Sequence, residues 1–231
     1  MKSIIQIVDE SHTCPVVSAQ IVLALAMVSR EGLEPMGHSQ AEKAESRERI
    51  LTAAAERIRA GGLDDLSIDT LMKQASLTRG GFYGHFRSRS ALAVAALGRA
   101  LDETFAVQRA AQQRAGGGFR TMVTRYLSRS HRDGIGQGCP IASLAADVAR
   151  SDDPQVRALM ADRLQGVFER TAKTMGEPDG KTDAAVAAWS TMLGGLLLAR
   201  VFGPGARGDE ILAIARQAAL AYEEAREADK A

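Results

Sequence analysis

The sequence predicts an all-α protein of about nine helices. Apolar residues recur three and four apart through most of the chain, and strand-like alternation is absent. The composition is rich in Ala, Leu and Arg, with only 6 Pro in 231 residues. A chain of this length holds one or two domains.

Residues 1–43 form an extension ahead of the first clear helix. Val16 to Val28 is apolar but about a dozen residues long, short of the ~20 that span a bilayer. Lys2 is followed by Asp9 and Glu10, unlike the basic leader of a secretory signal. No membrane partner is expected, and a cytoplasmic location fits. The segment reads as an over-extended start with Met36 as the initiator. A helix packed on the body and an additional interaction arm are the alternatives.

From Ser46 to Ala60, Ile50, Leu51, Ala54 and Ile58 share one helical face. Ser46 can cap this helix, and Gly61-Gly62 can end it. Ser67 caps a second helix, with Asp69 in its first turn, where the helix dipole favours an anion. Ile68, Leu71, Met72 and Ala75 form its buried face. Ala75-Ser76-Leu77 supplies a turn, and Thr78 can cap a third helix, Arg79 to Phe86. Phe82 and Phe86 are four apart and point inward. Arg79, Gly80, Gly81, Tyr83 and His85 face outward. Two short helices joined by a tight turn, the second too small and too basic to be core, read as a helix-turn-helix.

The outward residue types carry the chemistry. Gly80, Gly81 and Gly84 each cost a helix roughly 1 kcal/mol relative to Ala, so stability alone does not explain them. Small side chains at a helix N-terminus let the backbone approach base edges. Arg79 there can read guanine through O6 and N7, or clamp a phosphate. Tyr83 and His85 can donate to phosphate oxygens. Taken singly, Tyr83 is equally a half-buried aromatic and His85 an ordinary histidine; their spacing beside Phe82 and Phe86 favours the functional reading. Charge agrees. Thr70 to Leu101 holds no Asp or Glu but carries Lys73, Arg79, Arg87, Arg89 and Arg99, while the whole chain is near balance at +1. Phosphate contacts need a local patch, not a basic protein.

Arg49-Ile50-Leu51, Ala54-Ala55, Gly62-Leu63, Ser67-Ile68, Ala75, Leu77-Thr78, Gly80, Phe82-Tyr83, His85-Phe86, Ser88 and Leu92 together resemble the TetR-type bacterial transcriptional regulators over about 46–92. The resemblance implies that Thr78, Arg79, Gly80, Gly81, Tyr83 and His85 sit at the groove. It implies too that Ser67, Thr70 and Arg89 touch the DNA backbone. Ser76 stands where that family usually has Gly, and a left-handed Ser there adds strain of order 1 kcal/mol. Arg89 and Ser90 replace the usual Lys and acidic residue, and Arg keeps the phosphate contact. The implied organisation is a DNA-binding domain over 44–92 and a regulatory domain over 93–231.

A helix from about Ser88 to Arg114, with Leu92, Leu101 and Phe105 inward, joins the two and ends at Gly116-Gly117-Gly118. Five more helices follow, at about 119–132, 140–150, 154–175, 182–202 and 208–226, separated by Gly- and Pro-containing breaks. The helix 182–202 is apolar on several sides, with Ala185, Ala188, Trp189, Met192, Leu193, Leu196, Leu197 and Val201, and must be buried on several sides. Gly194-Gly195 at its middle fits either an ordinary core helix or a two-fold interface. In the family it resembles, the last two helices, here 182–226, form a four-helix homodimer interface, matching a palindromic double-stranded DNA operator. The helices at about 119–175 are then expected to enclose a pocket for a small-molecule effector, as in that family. Its candidate lining is Phe119, Met122, Tyr126, Cys139, Leu144, Met160, Phe168 and Trp189, each also readable as plain core.

Cys139 precedes Pro140, which suits the first position of a helix. A thiol at a helix N-terminus can be activated, and the glycines before it are expected to leave it accessible. A redox- or electrophile-sensing thiol is therefore the alternative to a small buried residue. Two cysteines, Cys14 and Cys139, make neither a disulfide framework nor a metal site. No phosphate loop, nucleophile elbow or metal-ligand spacing is present, so no catalytic residue, metal or cofactor is expected. A helical protein-interaction bundle without DNA binding leaves the acid-free basic span unexplained.

Overall fold

The computed structural model describes residues 40–114, 117–178 and 180–228, all helix and connecting turn. The readings placed on Val16–Val28, Met36 and Cys14 lie outside the described residues. Lys43–Ala231 fall in one compact unit.

The amino-terminal helices pack as their sequence pattern dictates. Helix α1 (Gln40–Gly61) buries Ile50, Leu51, Ala54, Ala55 and Ile58, the face its spacing marks. A short 3-10 turn, η1 (Leu63–Asp65), leads to α2 (Ile68–Gln74). Ser67 caps α2, its side chain accepting from the Thr70 amide at 3.4 Å, a contact worth about 1 kcal/mol. The segment read as a third α-helix is a 3-10 helix, η2 (Arg79–Gly84). Gly80, Gly81 and Gly84 give it little intrinsic preference for the α form.

The turn between α2 and η2 is a Schellman motif. The Ser76 amide donates to the Lys73 carbonyl at 3.0 Å, and the Leu77 amide to the Met72 carbonyl at 2.8 Å. Ser76 has φ 59°, the left-handed conformation that glycine takes without strain. Helix α7 (Pro154–Thr174) ends in the same way, but with glycine at the corresponding position. Gly176 (φ 71°) donates to Lys173, and Glu177 to Ala172.

Helix α3 (Arg89–Arg114) joins this module to the body. It is clamped to α1 by charge. Arg99 pairs with Glu48 at 2.5 Å and with Glu103 at 2.6 Å, and the buried Arg59 pairs with Glu103 at 3.0 Å. Partial burial raises the Glu103 carboxyl, but hydrogen bonds from Arg99 and Arg59 outweigh this and hold it below the usual carboxylate range.

The span expected as one helix over 119–132 is two, α4 (Phe119–Tyr126) and α5 (Arg129–Asp133). Leu127 breaks the run, and Ser128 re-caps it by accepting from the His131 amide at 3.2 Å. The Leu127 carbonyl is taken up by Arg216 at 2.8 Å. Beyond a 3-10 turn, η3 (Ile135–Gln137), come α6 (Pro140–Arg150), α7 (Pro154–Thr174), α8 (Asp183–Phe202) and α9 (Ala206–Ala228). Proline opens α6 and α7, as the sequence indicates. The buried Arg132 ties α5 to α9 through Asp209 at 2.8 Å. Helices α8 and α9 pack along one another. A methyl on Gly195 would overlap Ala215 of α9, whereas one on Gly194 would meet nothing. Gly195 therefore serves packing within the chain, and Gly194 lies open.

Replacing Ser76 with glycine is expected to raise the unfolding free energy by about 0.5 kcal/mol. That is the left-handed strain of roughly 1–2 kcal/mol less the extra backbone entropy of glycine, ~0.5–1 kcal/mol. Urea unfolding followed by circular dichroism measures it; a destabilised Ser76→Gly variant would contradict the assignment.

Candidate nucleic-acid interface and regulatory core

Two phenylalanines fix η2. Phe82 and Phe86 are almost fully buried, and their rings stack with centroids 5.8 Å apart. The guanidinium of Arg47 lies 4.9 Å above the Phe86 ring. This orients the opposite face of η2 to solvent. Tyr83 is 72 % exposed and makes an edge contact with Phe82. Thr78, Arg79 and Gly80 are exposed, and Gly81 and His85 are half-buried.

The glycines are not demanded by packing. A Cβ on Gly80 or Gly84 would meet no atom within 4 Å, and one on Gly81 would make ordinary contacts with Met72 and Thr78 at 3.7 Å. Nothing within the described chain needs these positions bare.

Ser67 and Thr70 stand at the start of α2, with the Thr70 hydroxyl donating to Ser67 Oγ at 3.1 Å. Arg89 has a role the sequence did not show. It donates to the carbonyls of Leu66 at 3.1 Å, Leu63 at 3.3 Å and Asp64 at 3.2 Å. Its guanidinium holds the η1 turn through Nε and Nη2. The other side of that turn is gripped by Asp147 of α6, whose carboxylate accepts from the Leu63 amide at 3.1 Å and pairs with Arg150 at 2.7 Å. A Cβ on Gly62 (φ 83°) would strike the same carboxylate.

In the body the structure brings together some of the expected pocket residues. Tyr126 packs edge-on to Trp189, centroids 5.0 Å apart. Trp189 Nε1 donates to Thr171 Oγ1 at 2.8 Å, and that hydroxyl lies 4.0 Å from Met122 Sδ. Leu144, Phe119 and Met160 are buried core, and Phe168 packs against that core. Thr171, His131 and Arg200 belong to this cluster and were not singled out from the sequence. Each is brought in by a different helix, so no local spacing marks it.

Cys139 caps α6 but is only 1 % exposed. The expectation that the preceding glycines leave it accessible is corrected: Gly138 is itself buried against Arg200 and the carbonyls of Gly134 and Ile135. Burial pushes the Cys139 thiol up, against the opposing pull of the Ala142 and Ile141 amides, the Tyr126 hydroxyl and the Arg200 charge. Burial likewise raises Tyr126 well above its ordinary value. The geometry is that of a protonated, sequestered thiol, not an activated one.

His131 sets the cap. Its Nε2 accepts from the Cys139 amide at 3.1 Å, and its Nδ1 lies 2.6 Å from the Tyr126 carbonyl. The first contact requires a bare Nε2 and the second a proton on Nδ1, so the neutral Nδ1–H tautomer is the form that fits. Burial lowers the His131 pKa, and the nearby Arg200 adds to this against the opposing Tyr126 hydrogen bond. A histidine with a folded pKa below its unfolded ~6.5 contributes stability above that pH and loses it as the pH falls. Nitrogen NMR at neutral pH is expected to show the Nδ1–H form, and unfolding stability to decline below about pH 6.5 less steeply in His131→Asn. An Nε2–H form would contradict the cap.

Residues 50–96 match the family model of bacterial regulatory proteins, tetR family. The helix-turn-helix-type transcriptional regulator Rv0196 of Mycobacterium tuberculosis H37Rv, itself uncharacterized, is 28% identical over 167 residues, covering 67% of this chain and 84% of that protein. The helix-turn-helix-type regulator UidR of Escherichia coli K12 is 28% identical over 169 residues, covering 73% and 84%. In fold, the chain is similar to a TetR-family transcriptional regulator from Cytophaga hutchinsonii, with a TM-score of 0.64, 19% identity, and coverage of 79% of this chain and 97% of that one. These likenesses make the chain a DNA-binding transcriptional regulator of helix-turn-helix type, similar to the TetR-family regulators over residues 50–96.

Proposed function

We propose that the protein is a homodimeric repressor that reads a palindromic operator through η2 and is released from it by a small molecule. The observation that carries the DNA reading is the outward face of η2, where Gly80 and Gly84 are open beside the exposed Arg79 and Tyr83. Thr78, Gly81 and His85 complete the groove face, and Ser67, Thr70 and Arg89 take the flanking phosphates. Residues 44–92 act as the DNA-binding part and 93–231 as the regulatory part, in the cytoplasm.

The dimer reading rests on an uncovered stripe of α8. Leu197, Leu198, Val201 and Phe202 are exposed, Val201 at 82 %, and Ile214 of α9 is exposed with them. They fall at helical spacing with the open Gly194. Apolar surface of this kind marks an interaction site. It also accounts for the one helix among the described residues that is long and apolar enough to cross a membrane. The effector reading rests on the Tyr126, Trp189, Thr171 and Met122 cluster, aromatic and apolar with convergent polar groups.

Gel-shift titration against DNA upstream of the protein's own gene tests the reading face. Arg79→Ala with Tyr83→Ala is expected to weaken binding about 10- to 100-fold and to flatten its salt dependence; unchanged binding would show η2 misassigned. The same assay finds an effector as a compound that releases DNA, and an effector that leaves the fluorescence of the single Trp189 unaltered lies elsewhere. Leu198→Glu with Val201→Glu is expected to give a monomer by analytical ultracentrifugation and to reduce operator affinity at least about 100-fold, by loss of the second half-site. A dimer that survives this change forms through another surface.

A further inference from the structure

The helix-turn-helix carries one acidic side chain that its function should disfavour. Asp69, in the first turn of α2, is the last carboxylate before the acid-free span Thr70–Leu101. It stands on the surface that presents Arg79, and the two pair at 3.1 Å, Arg79 Nη1 to Asp69 Oδ2. Their side chains are 77% and 52% exposed. An ion pair so open contributes little to stability, and a carboxylate near phosphates opposes binding.

We infer that Asp69 is a positioning and specificity-determining residue, holding the Arg79 guanidinium in the orientation that reads a guanine. This rests on the proposed operator reading by η2. The geometry supports it through the shape of the guanidinium. Arginine presents five N–H donors in a rigid fork. With Nη1 engaged by Asp69, the donors on Nη2 and the remaining edge stay available for guanine O6 and N7. A free Arg79, on a flexible stem at the exposed start of a 3-10 helix, would reach phosphates and bases alike. Tethered to α2, it keeps a fixed approach, and its lost rotamer freedom is spent before DNA arrives. The carboxylate also penalises DNA that offers Arg79 no guanine, since Asp69 then faces the backbone without compensation. A single pair thus lowers general affinity and raises discrimination.

The test uses the full chain and a library of randomised duplexes, so that no operator need be known. Selection with the wild type defines its preferred site. Base-by-base binding is then measured for wild type, Asp69→Asn, Arg79→Ala and the double variant, with folding checked by thermal melts. For Asp69→Asn we expect tighter binding to unselected DNA and about a two- to fivefold loss of preference at one guanine in each half-site, with other positions unchanged. In the Arg79→Ala background the Asp69 change is expected to move no base preference. Undiminished guanine preference in Asp69→Asn, or an equal effect with and without Arg79, overturns this inference alone. A wild type that selects no sequence overturns the operator reading and this inference with it.

Discussion

A helix built from Arg-Gly-Gly-Phe-Tyr-Gly, as η2 is, cannot hold its own position. Its glycines and its six-residue length leave it far below what an isolated helix needs. Its placement depends on burying Phe82 and Phe86, which together supply several kcal/mol of apolar transfer. The Schellman turn fixes the angle at which η2 leaves α2, and Leu77 closes that turn onto Met72. Everything outward on η2 follows from these inward constraints. Tyr83 is exposed because Phe82 is not. The bare backbone at Gly80 and Gly84 is tolerable because stability comes from elsewhere.

The same dependence reaches into the body. The η1 turn sets where Ser67 begins α2, and it is gripped from two sides. Arg89 gathers the carbonyls of Leu63, Asp64 and Leu66, and Asp147 takes the Leu63 amide. Asp147 lies near the carboxyl end of α6, and Cys139 caps its amino end through His131. At about 1.5 Å per residue, α6 is a rod of roughly 16 Å between the buried aromatic cluster and the η1 turn. The hydrogen bond between Ser90 and Asp153 adds a second tie, between the start of α3 and the cap of α7.

What the sequence revealed and what it hid divide along one line. Local chemistry was legible. Ser67 as a cap, proline opening α6 and α7, the left-handed strain at Ser76, and the inward Phe82 and Phe86 all follow from residues within a few positions of one another. Features set by partners distant in sequence were not. The break at Leu127 is stabilised by Arg216 of α9, so apolar spacing alone ran α4 and α5 together. The hold of Arg89 on the η1 turn was hidden because the carbonyls it binds lie more than twenty residues away. Cys139 looked accessible because its glycines suggested an open loop, whereas Arg200 from α8 packs over that loop. The pair Gly194-Gly195 divides by partner: one glycine admits α9, and the other meets no atom of the chain.

The strengths of these contacts bear on how regulation could work through so small a link. Coupling between two sites in regulated proteins amounts to about 1–3 kcal/mol. A hydrogen bond to a charged group, such as Leu63 to Asp147, is worth about 1.5–3 kcal/mol. One contact at the end of α6 is therefore of the right size to carry a regulatory signal alone, on the proposed reading. Neither the Phe82 and Phe86 anchor nor the Arg59, Arg99 and Glu103 clamp need be disturbed. The DNA-binding module can then remain folded in both states while the turn that aims it shifts. A stronger link would commit the body and the module to one arrangement, and a weaker one would let the reading helix ignore the body.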